Sequence, residues 1–455
     1  IGKPERVDEH TLFAIGSNTK AFTAAGVGLL VQEGKLSWDA PVREYLPFFA
    51  LRDPLASEMM TVRDLLCHRC GLGTWAGDLL LLGNYSSEEV VRRVRHIEPA
   101  YPFRAGYGYC NLMFITAGLL TEAVSGMGWD DFVRERLFLP LGINESVTSP
   151  RLFDERTNIA APHEDIEGKV QRVSYHADAG VGSAGSICAS AAEMARWLRM
   201  QLRGGRLDGR QIVDGSIIEE THKPHTLIPI RPLVHRLFPT RHFYAYGLGW
   251  FMNDHNGRLV IHHTGGVNGM LSCTMFLPEE DLGVVVLTNK LPNRAYIALP
   301  YFIVDTLTGQ AGRDWFQAYE EFERADRLPW EQARQQMLAS RAQGTHTSLP
   351  LEAFAGQYDS PIAGGAQVEE RDGGLHLQLR AHPSLGGPLT HWHYDAFTCK
   401  WDEPVLAESL VTFTTDGQGR VANFRVKVRE DWIDPVEHVF TRIGPAADRP
   451  LSPSD

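Results

Sequence analysis

In the first part of the chain, hydrophobic residues recur at the spacing of an α-helix. Residues 17–33 place their apolar side chains on one helical face, and Gly34 follows as a stop signal, so the sequence predicts a helix there. From about 40 to 200 the spacing remains mainly helical. Residues 223–243 contain four prolines with Arg and His between them, which predicts an extended loop.

The second half of the chain shows strand-like patterns. Short apolar runs between 246 and 289 are typical of strands, and residues 309–347, rich in Glu, Arg and Gln, predict a helical connector. From about 348 apolar and polar residues alternate, with Asp-Gly pairs at turns, which predicts a small antiparallel barrel or sandwich. The expected layout is therefore a mixed α/β domain, a helical connector and an all-β domain.

Composition narrows the class of protein. The 455 residues are 43% hydrophobic and 22% charged, which is ordinary for a globular protein of two or three domains. The net charge is −12 and no long Lys/Arg block offsets it, which argues against binding to nucleic acid or an anionic membrane. No apolar run reaches the roughly 18–20 residues of a membrane span.

Cysteine and histidine tracts do not indicate a metal or redox site. The six cysteines are too few for a disulfide framework, and the C-x-x-C of Cys67 and Cys70 is interpreted as two buried small hydrophobic residues. The tracts 262–263 and 391–393 contain paired histidines but lack the partners of a metal site, so strand positions are expected for both. No metal or organic cofactor is expected.

The strongest candidate for chemistry is the pair Ser17 and Lys20, near the start of the first predicted helix. Their spacing of three residues places both side chains on one helical face. A serine hydroxyl is a good nucleophile only when a base removes its proton, and burial near a helix N-terminus can lower a lysine pKa enough for that task. The Ser17 N–H would then form half of an oxyanion hole. The alternative, with no catalytic role, is that Ser17 caps the helix and Lys20 is a lysine exposed to solvent.

Tyr109 and Asn111 are the second candidate pair, just before an apolar helix. A tyrosine beside a lysine ammonium can have a lowered pKa and can pass a proton to a leaving group. Asn111 could orient both a substrate amide and Lys20. The alternative is a core tyrosine followed by a helix cap.

The third candidate is the stretch His263-Thr264-Gly265-Gly266, between two strand-like runs. Glycines at this position let a substrate lie along the edge of the strand. The N–H of Gly266 could supply the second oxyanion donor. The alternative is a histidine that merely packs at the strand edge.

In this order the three elements resemble the serine β-lactamase and penicillin-binding-protein superfamily, above all its class C and D-aminopeptidase-like branch. S-x-x-K at 17–20 resembles the first family motif and Y-x-N at 109–111 the second, while H-T-G at 263–265 replaces the usual K-T-G. Similar segments cover most of residues 1–308, and residues 348–443 resemble the lipocalin-like β domain of some members.

The resemblance implies an α/β (α+β) fold, with an antiparallel sheet flanked by helices and an all-helical subdomain in residues 1–308. A helical connector at 309–347, a small antiparallel β-barrel at 348–443 and a tail at 444–455 would follow. Because the family has a helix and strands before its nucleophile, the resemblance also implies that this numbering begins inside the domain, without its N-terminal strands.

The same resemblance implies residue roles. They are Ser17 as nucleophile, Lys20 and Tyr109 as acid/base pair, Asn111, His263, Thr264 and Gly265 as substrate-binding residues, and the Ser17 and Gly266 amides as oxyanion hole.

His263 is the departure that bears most on the substrate. The lysine of K-T-G is a permanent cation facing a substrate carboxylate, whereas a histidine is mostly neutral at pH 7. Capture of a carboxylate should therefore be weaker. Since the D-aminopeptidase-like members carry the same H-x-G, the resemblance implies a peptidase or amidase acting on short or D-residue-containing peptides. An esterase, a weak β-lactamase or penicillin-binding protein, and a non-catalytic scaffold that binds peptides or β-lactams stay open. A homo-oligomer stays open too, and the sequence assigns no compartment.

Overall fold

The computed structural model describes residues 4–153, 156–166, 168–175, 182–403, 406, 408–428 and 434–445. Along the chain these residues form a part that mixes helices with a sheet, a long helix, and a closed barrel. The predicted class, mixed α/β with a C-terminal antiparallel barrel, is confirmed. The residue limits given for the domains stay a prediction, and most of the predicted tail lies outside the described residues.

Most of the helices lie in the first 240 residues. The helix predicted at 17–33 is confirmed, since a 3₁₀ turn leads into α1 and Gly34 follows it with φ of 70°, a left-handed conformation that favours glycine. The helices are α1 Thr19–Gln32, α2 Pro54–Met59, α3 Val62–Leu65, α4 Ser87–Arg93, α5 Asn111–Ser125, α6 Trp129–Val133, α7 Leu139–Leu141, α8 Gly182–Gly185, α9 Ala191–Leu202, α10 Gly215–Thr221, α11 Pro232–Leu237, α12 Ala295–Leu307 and α13 Trp315–Ala339. Short 3₁₀ turns lie at Gly16–Asn18, Val42–Glu44, Asp78–Leu82, Val94–His96, Pro150–Leu152, Pro278–Glu280 and Leu351–Ala353, and a π-helical turn lies at Arg134–Phe138.

Strands form one main sheet, a barrel and three small pairs. They are β1 Phe13–Ala14, β2 His163–Ile166, β3 Lys169–Arg172, β4 Cys188–Ala189, β5 Arg206–Leu207, β6 Arg210–Gln211, β7 Thr226–Leu227, β8 Tyr244–Tyr246, β9 Phe251–His255, β10 Arg258–Val267, β11 Met270–Leu277, β12 Leu282–Thr288, β13 Gly356–Ser360, β14 Gly364–Arg371, β15 Gly374–Leu379, β16 Gly386–His393, β17 Ala396–Cys399, β18 Ser409–Thr415, β19 Val421–Lys427 and β20 Glu437–Gly444. The main sheet is antiparallel in the order β12-β11-β10-β9-β8-β7.

Helices cover both faces of the main sheet and hold its strands in place. Alternation along β11 sends Cys273 and Met275 toward α12 and α13, while Phe276 joins the larger core with α1, α5 and α9. Trp315, in the first turn of α13, anchors the connector to the sheet. Helices on both faces hold β10 and its glycines rigidly against the start of α1.

The proline-rich segment 223–243 differs from the extended loop predicted for it. Pro232 starts α11, a position that suits proline because the first N–H of a helix needs no partner. The strand β7, which precedes α11 in the chain, pairs with β8, which follows it. The histidine tracts do lie in strands, β10 and β16, and all six cysteines are free and buried.

No single helix in the described part of the chain is long and apolar enough to cross a membrane. The consecutive segments Asn111–Ser125 and Trp129–Leu141 meet the length and composition criteria only as a pair, and they are bent by 79°.

The C-terminal barrel closes on itself. Each of its eight strands pairs antiparallel with the next, and β13 pairs with β20. Its interior is filled by side chains such as Tyr358, Phe413 and Phe424, and Leu79 from the first part of the chain joins this cluster. The barrel is therefore packed against the residues just before α4.

Candidate active site

Ser17 lies in the 3₁₀ turn that leads into α1, and Lys20 lies one turn later. The Nζ atom of Lys20 donates a hydrogen bond of 3.0 Å to the Oγ atom of Ser17. The turn is fixed to β11, since Asn18 Nδ2 donates to Ser272 Oγ at 2.8 Å and Ser272 Oγ donates to the Ile15 carbonyl at 2.7 Å. The pair predicted from the sequence is thus in direct contact on a rigid support.

Lys20 is completely buried, with no exposed side-chain area. Its Nζ also donates to Asn111 Oδ1 at 2.7 Å and to the carbonyl of Ala184 in α8 at 2.8 Å. Burial lowers the pKa of Lys20 to about 7, although the charge of Asp78 acts in the opposite direction. Lys20 can therefore be uncharged near neutral pH, the state in which it accepts a proton from Ser17.

Tyr109 meets the same two residues from the loop before α5. Its phenol lies within hydrogen-bonding reach of Ser17, and Lys20 Nζ is 4.8 Å from the centre of its ring. Burial raises the pKa of Tyr109 well above its usual value, and this effect outweighs the hydrogen bond to Ser17. The sequence-based expectation of a lowered tyrosine pKa was wrong, because a lysine that is itself neutral offers little charge to stabilise a phenolate.

The backbone around Tyr109 is held by three neighbours. Its N–H donates to Thr74 Oγ1 at 3.1 Å, and its carbonyl accepts from the Trp75 N–H at 2.7 Å. The next N–H, of Cys110, donates to Nδ1 of the buried His68 at 3.0 Å, and the His68 ring lies 4.2 Å from the Tyr109 ring. These contacts fix the phenol relative to α1.

Asn111 is the first residue of α5 and connects Lys20 to a buried carboxyl group. Its Oδ1 accepts from Lys20, and its Nδ2 donates to Asp78 Oδ2 at 2.6 Å. Burial raises the pKa of Asp78 well above its usual value. The other Asp78 oxygen, Oδ1, has no hydrogen-bond partner among the described residues, a situation that costs less for a neutral carboxyl group than for an ionised one.

His263 is buried in β10, and both of its ring nitrogens have partners. Nδ1 contacts the Thr264 carbonyl at 2.6 Å, so Nδ1 carries the hydrogen, and Nε2 therefore accepts from the Tyr246 hydroxyl at 2.9 Å. Burial, together with the charge of Lys20, lowers the pKa of His263 well below its usual value. The imidazole is neutral at pH 7 and is held by Tyr246 in one tautomer.

Close packing of glycine backbones brings the third motif against Ser17. A side-chain carbon at Gly16 would lie 2.7 Å from the Gly266 nitrogen, and one at Gly265 would lie 1.8 Å from the Ile15 carbonyl oxygen. Gly16 also has φ of 53°, where glycine is favoured. Because β9 pairs with only residues 258–262 of β10, the side of β10 opposite to β11 has no paired strand from His263 onward in the described part of the chain.

The structure thus gathers all of the predicted site residues around Ser17, and it adds partners that the sequence did not single out. Tyr246 lies at the start of a strand-like run and His68 within the similar segments of residues 1–308, and the sequence alone does not show the partner of either. Asp78 had no sequence signal, since a lone aspartate among leucines resembles any surface residue. No group of three or more His, Cys, Asp or Glu side chains suited to a metal ion occurs among the described residues.

Two family models match the chain. One, described as Beta-lactamase, matches residues 1–308, and the other, described as a domain of unknown function (DUF3471), matches residues 340–439. The first match covers all three motifs and the whole main sheet.

Similar proteins include an unguisins hydrolase from Aspergillus campestris, 28% identical over 379 residues, which cover 78% of this chain and 68% of that protein. Penicillin-binding protein 4 from Amycolatopsis lactamdurans is 29% identical over 292 residues, covering 62% of this chain and 73% of that one. Among solved structures, the octameric penicillin-binding protein homologue from Pyrococcus abyssi is similar over 95% of this chain and 89% of that chain, with a TM-score of 0.59 and 20% identity. That likeness extends through the barrel.

Proposed function

The chain belongs to the beta-lactamase family, whose members of this fold include serine hydrolases, and from that premise we propose that it hydrolyses amide bonds in short peptides through an acyl-enzyme on Ser17. One observation carries the proposal: a buried lysine, with its pKa lowered to about 7, lies 3.0 Å from the Ser17 hydroxyl. A buried lysine in contact with a serine is the arrangement needed to activate the hydroxyl.

Acylation begins with proton transfer from Ser17 to Lys20. Uncharged Lys20 accepts the hydroxyl proton while Ser17 Oγ attacks the carbonyl carbon of the substrate. The carbonyl oxygen then carries negative charge, and we assign its binding to the N–H groups of Ser17 and Gly266, an assignment supported by the close packing of Gly16 on Gly266. Preformed donors of this kind need no rearrangement as the charge develops.

Breakdown of the tetrahedral intermediate requires a proton on the leaving nitrogen. Tyr109, kept as a neutral phenol by burial, donates its proton to that nitrogen and regains one from the Lys20 ammonium. The amine departs and leaves the acyl group as an ester of Ser17. Water then attacks the ester carbonyl while Lys20 accepts its proton. The bond from the acyl carbon to Ser17 Oγ breaks, the Lys20 ammonium returns the proton to Oγ, and the acid is released.

The substrate class follows from the neutral His263. With Nδ1 bonded to Thr264 and Nε2 to Tyr246, the imidazole offers no positive charge to a substrate carboxylate. A substrate that places an uncharged amide next to His263 does not need a positive charge there. A free carboxylate at the same place would lose its hydration without gaining a charged partner. Amides of short peptides, including peptides that contain D-residues, fit this requirement, and the similar unguisins hydrolase is consistent with hydrolase activity in this part of the family.

The proposal is tested with p-nitroanilides of D- and L-aminoacyl groups and short peptides, p-nitrophenyl esters, and a chromogenic β-lactam. We expect turnover of the anilides, and its loss in Ser17→Ala. Hydrolysis of esters or of the β-lactam without the anilides would replace the amidase by an esterase or a weak β-lactamase. Stable binding without any turnover would indicate a scaffold.

A further inference from the structure

We propose that Asp434, in the C-terminal barrel, is a positioning residue for Lys20 and acts through Asp78 and Asn111. The inference rests on the proposed function, since it assigns Lys20 the role of base. It gives the barrel a part in the chemistry of a site that lies entirely in the first 308 residues.

The carboxylate of Asp434 binds the start of the 3₁₀ turn Asp78–Leu82. Its Oδ1 accepts from the Gly77 N–H at 3.1 Å and its Oδ2 from the Leu79 N–H at 3.2 Å. The first N–H groups of a helical turn have no partner within the turn, and Gly77, which precedes it, has no side chain to supply one. Asp434 therefore caps this turn from the other end of the chain.

The cap is itself rigid. Asp434 is completely buried, and it also accepts from the Val436 N–H at 3.0 Å and from Nε2 of the buried His438 at 3.1 Å. Three of its partners are backbone N–H groups, which can only donate, and this pattern suits an ionised carboxylate. Both oxygens are held, so the carboxylate cannot rotate away from the turn.

The turn and the residues just after it are anchored to the barrel. Leu79 belongs to the hydrophobic core of the barrel together with Phe354 and Leu379, and the Asn84 N–H donates to the Ala381 carbonyl at 2.8 Å. Asp78, between the two amides bound by Asp434, instead directs its side chain toward Asn111. Barrel contacts thus flank the one residue of the turn that faces the active site.

From Asp78 the path to the nucleophile is a chain of short hydrogen bonds. Asn111 Nδ2 donates to Asp78 at 2.6 Å, Lys20 donates to Asn111 at 2.7 Å, and Lys20 donates to Ser17 at 3.0 Å. A shift of Asp78 would therefore move Asn111, and the Lys20 amine would lose alignment with the Ser17 hydroxyl. Misplacement by about 1 Å is enough to reduce a reaction rate a hundredfold.

Charge acts along the same path. The negative charge of Asp434 helps to raise the pKa of Asp78, and an ionised Asp78 would raise the pKa of Lys20. Without the charge of Asp434, Asp78 would ionise more readily and Lys20 would hold its proton to higher pH. The other titratable groups that face Lys20 or Asp78 are Cys110, His68, His263 and Tyr109.

The test is the rate at which a fluorophosphonate labels Ser17, measured against pH in the full chain. For Asp434→Asn we expect the ascending limb to move up by about one pH unit, and labelling on its acid side to slow about tenfold. The maximal rate of labelling should also fall, with the concentration for half-maximal rate unchanged, because Asp434 does not touch the reagent. Asp416→Asn is the matched control, since the Asp416 carboxylate accepts from the N–H groups of Gln418 and Arg420 in an exposed turn of the barrel.

Two further variants separate charge from geometry and from mere loss of structure. In Asp78→Asn, which cannot ionise, adding Asp434→Asn should leave the ascending limb in place. Asp434→Glu keeps the charge but displaces the carboxylate oxygens. The ascending limb of its labelling profile should therefore stay at the wild-type pH, while its maximal labelling rate falls. If Asp434→Asn does not fold, this fall in Asp434→Glu supports the proposal, and wild-type labelling in Asp434→Glu overturns it.

The outcomes distinguish this proposal from the proposed function. An Asp434→Asn profile that matches the wild type and Asp416→Asn overturns the role of Asp434 and leaves the Ser17 assignment intact. A wild-type chain that is not labelled at Ser17 overturns the proposed function, and the role of Asp434 with it.

Discussion

The Nζ atom of Lys20 lies 3.0 Å from the Oγ atom of Ser17 while the lysine side chain is completely buried. An exposed lysine at the same distance would stay protonated near neutral pH, and a buried one farther away could not receive the hydroxyl proton. Contact and burial together allow Lys20 to be the base.

Lys20→Arg should lower turnover at least about a hundredfold, because a guanidinium does not release its proton in this pH range. In the wild type, kcat/KM should rise with pH around a midpoint near 7, the pKa that burial gives Lys20. The rate is low below that pH because protonated Lys20 cannot accept another proton. Profiles of kcat/KM against pH measure this.

The control for that substitution is Lys35→Arg. Lys35 is exposed just after α1 and pairs with Glu33 at 2.9 Å, so the same chemical change there should leave the profile unaltered. Wild-type turnover in Lys20→Arg would exclude Lys20 as the base.

Stability should depend on pH through Lys20. Unfolded Lys20 keeps its proton up to about 10.5, whereas folded Lys20 loses it near 7, so the unfolded state binds more protons between these values. The free energy of unfolding of the wild type should therefore rise relative to Lys20→Met by about 1.4 kcal/mol per pH unit above pH 7. Urea unfolding of both proteins at several pH values tests this, and parallel curves would contradict it.

Gly16→Ala should reduce kcat about a hundredfold, because the new methyl group would push the Ser17 turn away from the Gly266 N–H. Gly34→Ala is a matched control, since its φ of 70° is also left-handed but nothing lies within 4 Å of the added carbon. Gly34→Ala should cost about 1–2 kcal/mol of stability in chemical denaturation from the left-handed conformation alone, and Gly16→Ala should cost more because its added carbon also meets the Gly266 backbone. Equal kcat values for the two variants would argue against an oxyanion site at Gly266.

His263→Lys should change substrate preference. A cation at this position would favour substrates with a free carboxylate, and the ratio of kcat/KM for a carboxylate substrate to that for its amide should rise about tenfold. His263→Gln, which stays neutral, should leave the ratio unchanged. A rise in the glutamine variant, or none in the lysine variant, would remove the basis of the substrate argument.

Local patterns were sufficient to predict most of the fold. The helix that carries Lys20, the connector and the barrel each follow from the periodicity of a continuous segment. The helix at Pro232 was missed because four prolines suggested a loop, although proline at the first helical position is compatible with a helix.

The motif residues of the site were predictable, but the groups that support them were not. Ser17 and Lys20 are neighbours in sequence, so their spacing indicates their contact. Tyr246, Asp78 and Asp434 act through contacts between distant segments, and nothing in the residues around them shows burial. The predicted direction of the Tyr109 pKa shift was wrong for the same reason, because the shift depends on burial and not on the nearby lysine.

The most direct test of the account is mass spectrometry of the fluorophosphonate-treated protein, wild type beside Ser17→Ala, from about pH 5 to about pH 9. We predict one adduct, mapped to the peptide that contains Ser17, with a labelling rate that rises through a midpoint near pH 7, and no adduct in Ser17→Ala. Labelling that persists in Ser17→Ala, or that maps to another residue, would contradict the account.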